Sequence, residues 1–293
     1  TGDQTSSLGV LYDYDYTGRG IRVAEVLNGG PLDKSSSEVK TGTIITAIDG
    51  IEITDDMDFY QLLNRKSGNN VLLSLTDPSG SNKWEEVVKP VSLGAENELL
   101  YNRWVETRRK ETLELSDGKL GYVHVRGMND PSMRIVLEDA LGKHLGADAL
   151  IVDTRFNGGG NLHDVLSDFL TGKKYMDIIP HGQNIGYQPW NRWIKPSIVL
   201  MGESNYSDAH LFPVAYKIKN GGQTLGMPVP GTGTFVWWET QIDPTLYFGI
   251  PMGGWKPLDG PFLENDQLEP DIRVQNEPGV MAKGRDQQLE EAV

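Results

Sequence analysis

From residue 8 to about residue 93, apolar and polar positions alternate in short runs, the period-two signature of half-buried strands. Gly20-Ile21-Arg22-Val23-Ala24-Glu25-Val26 alternates in this way until Asn28-Gly29-Gly30-Pro31 breaks it. Gly42-Thr43-Ile44-Ile45-Thr46-Ala47-Ile48 predicts a second strand, turned by Asp49-Gly50 into Ile51-Glu52-Ile53 as a hairpin. Thr54 predicts the cap of a helix with Phe59, Leu62 and Leu63 on one face, acids early, Arg65 and Lys66 late, and Gly68 as its stop. Residues 71–76 and 84–91 predict two closing strands around the turn Asp77-Pro78-Ser79-Gly80.

The pattern then changes. Residues 94–117 carry Leu100, Trp104 and Leu113 at helical spacing in a charged background, which predicts a connecting helix ahead of Asp117-Gly118. Beyond it strands and helices alternate: a strand over residues 120–125, a helix marked by Met133, Val136, Leu137, Ala140 and Leu141, and the continuous apolar strand Ala149-Leu150-Ile151-Val152-Asp153. A helix over residues 162–170, the strand Ser197-Ile198-Val199-Leu200-Met201 and a helix through Leu211, Phe212, Ala215 and Ile218 follow. Alternation of this kind implies parallel strands joined by right-handed crossovers, an α/β unit whose functional groups collect at the C-terminal strand ends. The domain reading is therefore 1–93, a connecting helix at 94–117, and 118–293.

Charge narrows the function. With a formal net charge of −14 over 293 residues, nucleic acid and anionic membrane are excluded as expected partners, because phosphate binding needs clustered Lys and Arg. There is no cysteine, so disulfides and thiolate metal sites are excluded. No HExxH or His/Cys cluster is present, and neither a metal nor a cofactor is expected. No run approaches a membrane span, and the start at Thr1-Gly2-Asp3-Gln4, without initiator Met or signal-like core, reads as a fragment or processed product.

Two turns can carry chemistry. Ser207, in Asn205-Tyr206-Ser207-Asp208-Ala209, follows an apolar strand and precedes a helix, so its hydroxyl would face free N–H groups and a positive helix end. The alternative is an ordinary N-cap. Asn157-Gly158-Gly159-Gly160 follows the strand ending at Asp153 and could bring a second N–H to the same carbonyl oxygen.

Val152-Asp153-Thr154-Arg155-Phe156-Asn157-Gly158-Gly159-Gly160 resembles the VD-x-R-x-N-G-G-G signature of the tricorn and C-terminal-processing serine peptidases. "NYSDAHLF", "ENDQLEPDI" and "GRDQQLEEAV" match that superfamily in order, and "GIRVAEVLNGGPLDKS" followed by "GTIITAIDGIEI" resembles its PDZ domain, although the Gly-Leu-Gly-Phe carboxylate loop of such domains is not recognisable. The resemblance implies a PDZ-like peptide-binding domain followed by a crotonase/ClpP-like β-α superhelical protease core. It implies Ser207 as nucleophile, Gly160 with Gly159 as its alternate, and Asp208 through its N–H, as oxyanion hole, and Glu264 in the relay that serves the base. Asp177 falls near the position where tricorn enzymes select basic side chains. Processing peptidases place a lysine about 25 residues past the serine; here that stretch reads Gly226-Met227-Pro228-Val229-Pro230-Gly231-Thr232-Gly233-Thr234, so a His-based relay of the tricorn type is expected.

In that relay the Ser-His pair precedes the PDZ domain and is absent from these residues. Of the five histidines, His124, His144 and His181 read as structural or exposed, His210 lies in the turn of Ser207 itself, and His163 begins the helix after the glycines. Pro213 is expected to kink the serine helix or delay its start. The expected partners are peptides or unfolded polypeptides, with homo-oligomers as in the tricorn family; the compartment stays open between periplasm and cytoplasm, leaning to export. The alternatives are a peptide-binding scaffold that has lost its chemistry and, more remotely, a crotonase-like hydratase or isomerase.

Overall fold

The computed structural model describes residues 3–293, so Thr1 and Gly2 of the sequence reading lie outside the described residues. It divides into two compact units, Thr1–Thr107 and Arg108–Val293. In the first, β1 (Ser6–Ser7), β2 (Val10–Asp13), β3 (Ile21–Val26), β4 (Ile44–Ile48), β5 (Ile51–Glu52), β6 (Val71–Thr76), β7 (Lys83–Val88) and β8 (Val91–Ser92) are all antiparallel. The main sheet runs β2-β3-β4-β6-β7 with β5 against β4, and β1 pairs β8 separately, which leaves β2 at an edge. The alternation works as expected: Val71, Leu73 and Leu75 of β6 are buried with Val23, Ile45, Ile48 and Leu63 in one core. Asp49 and Gly50 both take positive φ, the conformation a two-residue hairpin turn needs.

The helix expected from Thr54 does not start there. Thr54 donates its hydroxyl to Asp56 at 2.7 Å, and a five-residue 3-10 segment, Phe59–Leu63, begins later with Asp58 accepting from the Tyr60 N–H. Side chains that bond locally compete with the helical backbone, and Asp56, held by Thr54, and Asp58, held by the Tyr60 N–H, do so here.

Helix α1 (Leu93–Leu115) follows and carries the boundary between the units. Its fully buried side chains are Arg108 and Thr112, whereas Leu113, expected on an apolar stripe, is 39% exposed.

In the second unit β9 (Leu120–His124), α2 (Asp130–Glu138), β10 (Ala149–Asp153) and α3 (His163–Leu170) come first. The ribbon β11 (Met176–Ile178) and β12 (Gly186–Gln188) precedes β13 (Ser197–Met201), α4 (Asp208–Ile218) and β14 (Gln223–Gly226). A second ribbon, β15 (Thr234–Thr240) and β16 (Tyr247–Gly254), then leads to β17 (Ile272–Arg273) and α5 (Gln287–Ala292). The sheet has order β17-β14-β13-β10-β9 and is parallel throughout. Val123, Val152, Leu166, Phe169, Val199 and Phe212 form its core with the helices. Because the strands share one direction, the turns leaving β10 and β13 emerge at the same sheet edge.

A buried ionic cluster ties the C-terminus to that edge. Arg155 donates to Asp153 through Nε (3.0 Å) and Nη2 (2.6 Å), and to Asp286 at 2.9 Å, while Arg108 Nε reaches Asp286 at 2.9 Å. Asp286, completely buried, also caps α5 by accepting from the Leu289 N–H. Burial alone would raise its carboxyl, but the Arg155 hydrogen bonds and charge outweigh that and hold it below the usual carboxylate range. The signature residues Asp153 and Arg155 are thus committed to architecture.

Candidate active site

Asn157, completely buried, fastens the glycine loop to the serine loop. Its Nδ2 donates to Val125 O (2.7 Å), its Oδ1 accepts from the Gly159 N–H (2.9 Å), and its carbonyl accepts from the Tyr206 N–H (3.0 Å). Gly159 sits at φ 95° and Gly160 at φ 145°. A Cβ on Gly159 would lie 2.6 Å from Tyr206 O, 2.7 Å from Ser207 Cβ and 3.1 Å from Asp208 N; one on Gly160 would lie 2.0 Å from Met128 O. The two turns therefore approach each other at backbone distance, which glycine alone permits.

Ser207 is not built as a cap. An N-cap residue normally has extended dihedrals and a side chain bonded to the helix start; Ser207 has φ 54° and ψ −121°, and its side chain makes no capping bond. Its N–H donates instead to Thr232 Oγ1 at 2.8 Å, leaving a half-buried hydroxyl at the mouth of the turn. α4 still starts at Asp208 with Pro213 inside it. The carbonyl that Pro213 cannot serve, that of Ala209, accepts from Asn205 Nδ2 at 3.3 Å, and the helix start is not delayed past Asp208.

Two backbone donors of these turns are left without an acceptor. The Gly159 N–H is taken by Asn157, but among the described residues neither the Gly160 N–H nor the Asp208 N–H has a protein acceptor. Asp208 is the first residue of α4, where an N–H lacks an intrahelical partner. Its buried carboxylate is occupied elsewhere, accepting from Leu162 N–H (2.5 Å), His163 N–H (2.9 Å) and His163 Nδ1 (2.5 Å). Since a carboxylate can only accept, Nδ1 of His163 carries a proton directed at Asp208. The ring packs edge-on to Trp255 at 5.2 Å.

His210 is fully buried behind Ser207. The Thr232 N–H donates to its Nδ1 at 3.2 Å, which puts the ring proton on Nε2, a buried atom without a partner. Burial lowers its pKa, with Asp266 and Glu264 pulling the other way. It is posed as a neutral support and has no lone pair free to receive the serine proton. Neither it nor His163 is hydrogen-bonded to Ser207.

Glu264 is exposed, follows the buried Leu263, and lies against the Thr232 loop: a Cβ on Gly233 would be 2.9 Å from Glu264 N. Asp177 stands apart on β11 and pairs with Lys174 at 2.5 Å and Asn184 at 3.1 Å; these partners hold its carboxyl below the usual range. The structure thus brings Gly159 against Ser207 and Asp208, holds Ser207 by its N–H on Thr232, and sets Glu264 beside the Thr232 loop, while Gly160 packs on Met128 and the hydrogen bonds of Asp177 go to its own ribbon. Asn157 was legible only as part of a glycine motif. Thr232 was visible in Gly231-Thr232-Gly233 but carried no signal of its own. Among the described residues no group of three or more His, Cys, Asp or Glu could hold a metal ion, and no helix is long and apolar enough to cross a membrane.

The model of Peptidase family S41 matches residues 119–274, and that of the Tricorn protease PDZ domain matches residues 7–92. Tricorn protease homolog 1 of Streptomyces coelicolor is 29% identical over 90% of this chain and 24% of its own length. Tricorn protease of Thermoplasma volcanium is 25% identical over 97% of this chain and 28% of its own. The chain therefore spans about a quarter of the length of these curated relatives. A solved tricorn protease structure superposes with a TM-score of 0.83 at 22% identity, covering 99% of this chain and 28% of that one, a likeness of fold. Matched over more than half its length, the chain belongs to peptidase family S41, the serine-type peptidases, and carries a PDZ domain of the tricorn type.

Proposed function

We propose that the chain is the PDZ domain (1–93), connecting helix (94–117) and catalytic core (118–293) of a tricorn-type serine endopeptidase acting on peptides or unfolded polypeptides. Ser207 Oγ attacks the scissile carbonyl carbon as its proton passes to a histidine base. The carbonyl oxygen, now negative, takes the N–H groups of Gly160 and Asp208. Collapse expels the amine with the proton from the base and leaves the acyl group on Ser207, and water, deprotonated by the same base, hydrolyses that ester. The observation that supports this most is the pair of unpartnered N–H groups beside a serine held at φ 54°.

In this reading the base comes from sequence outside these 293 residues, with Glu264 as its relay carboxylate. The expected outcome is negligible peptide hydrolysis by the 293-residue chain and turnover by a chain extended through an upstream helical domain. Ser207→Ala would lower that turnover at least about a thousandfold. No turnover from the extended chain would favour the peptide-binding scaffold. One observation supports a second reading: the Asp208-oriented imidazole of His163. Robust Ser207-dependent hydrolysis by the short chain, lost in His163→Gln, would make that residue the base.

A further inference from the structure

The first unit contains a groove whose chemistry differs from what a peptide C-terminus requires. Beside the edge strand β2 lies a cavity of about 450 Å³, lined by Ser6, Ser7, Tyr12, Tyr14, Tyr60 and Glu96 among others. At its end the chain reads Ser7-Leu8-Gly9-Val10, with Gly9 at φ 70°. The Gly9 N–H points inward, donating to Ser7 Oγ at 2.9 Å, and the Ser7 hydroxyl itself donates to Glu96 Oε1. The Gly9 N–H and the Ser7 hydroxyl are therefore both committed within the protein, and a carboxylate already stands at this end of the groove.

Glu96 is half-buried and makes no ion pair among the described residues. Around it stand rings rather than cations. Tyr12 packs edge-on against Phe59 (5.1 Å) and Tyr60 (6.1 Å), and Tyr14 and Tyr60 share a hydroxyl–hydroxyl bond of 2.6 Å. Burial pushes both the Tyr12 and the Tyr60 hydroxyl upward, helped for Tyr60 by its hydrogen bond to Tyr14 and for both, to a lesser degree, by the Glu96 charge, so both stay neutral. In the wall beside them Ser6 Oγ is buried and without a partner. One unpaired carboxylate among the faces of neutral aromatic rings attracts a cation and repels a carboxylate. The free side of β2 can align an extended segment as an added strand.

We infer that this groove binds an extended peptide segment through a lysine or arginine side chain directed at Glu96, and that it excludes a free C-terminal carboxylate. The inference stands on the first unit alone and does not depend on the peptidase reading.

The test is fluorescence anisotropy with the 293-residue chain and three labelled peptides of one extended apolar sequence. One is end-blocked with a central arginine, one end-blocked with a central glutamate, and one has a free C-terminal carboxylate and no charged side chain. The arginine peptide should bind at least tenfold tighter than the other two. Glu96→Gln should weaken it about tenfold while strengthening the free-carboxylate peptide. Tyr14→Ser, which removes a ring that is 75% exposed, should weaken the arginine peptide without lowering the melting temperature. Tighter binding of the free-carboxylate peptide by the unaltered chain, or arginine binding indifferent to both substitutions, overturns the inference.

Discussion

At the scale of single residues, the site is controlled by what glycine and asparagine make possible. Gly159 is needed for space, because its amide is already committed to Asn157. Gly159→Ala would set a methyl 2.7 Å from Ser207 Cβ at a backbone φ of 95°, so either the serine turn or the glycine loop must move. The variant should keep its far-ultraviolet circular dichroism, lose about 1–3 kcal/mol of stability and, in the chain extended through the upstream helical domain, label at Ser207 with a fluorophosphonate at least tenfold more slowly. Unchanged labelling would mean that the two turns do not depend on this contact. Much of this was readable beforehand: three successive glycines after an apolar strand announce a close backbone approach. Which glycine keeps a free N–H was not readable, since that depends on an Asn157 side chain folding back over its own loop. The positive φ of Ser207 was equally hidden, because a serine before a helix has the same sequence appearance whether or not it caps.

At the scale of elements, regular periodicity was informative and irregular structure was not. The strands at residues 44–48, 71–76, 149–153 and 197–201 and the helix through Leu211 and Phe212 lie where alternation or helical spacing placed them. The Thr54 helix failed because local Asp and Thr bonds displaced it, and the stripe on α1 holds only in part: Leu100 and Trp104 are half-buried, Leu113 is exposed, and the most buried positions are an arginine and a threonine. Those polar positions carry their own consequence. Arg108 and Arg155 both pair with Asp286, which lies 178 and 131 residues away in sequence, a pairing no spacing rule reaches. Asp286→Ala leaves two guanidiniums buried with an incomplete partner set and removes the α5 cap, so it should cost about 3–5 kcal/mol in urea unfolding. Loss of under 1 kcal/mol would mean that solvent enters the cluster and takes over the role of Asp286.

For the molecule as a whole, pH response follows from which groups titrate outside their ordinary ranges. His124, His144 and His210 all sit below the usual imidazole range, in each case chiefly through burial, and all belong to the second unit. The unfolded chain then binds more protons than the native one below about pH 6.5, so stability rises with pH there. This contribution is complete above about 6.5 and is lost as pH falls toward the folded values. Asp286, also lowered, adds a second loss below about pH 4. Urea midpoints should accordingly be lower at pH 5 than at pH 7.5, and a midpoint that rises toward acid would contradict the burial assigned to these imidazoles. The fold class itself was accessible from alternation and one signature motif. The two ribbons were not, since short exposed strands bearing Trp237, Trp238, Tyr247 and Phe248 lack the buried alternation that marks a sheet.

The longer ribbon leaves and re-enters the core almost at one point. Thr234 pairs with Gly254, and the Trp255 N–H returns to Gly233 O at 2.8 Å. Everything between behaves geometrically as an appendix on a closed stem. A change in its length or aromatic content would therefore leave Thr232 and Glu264, rooted on either side of the stem, at their stations.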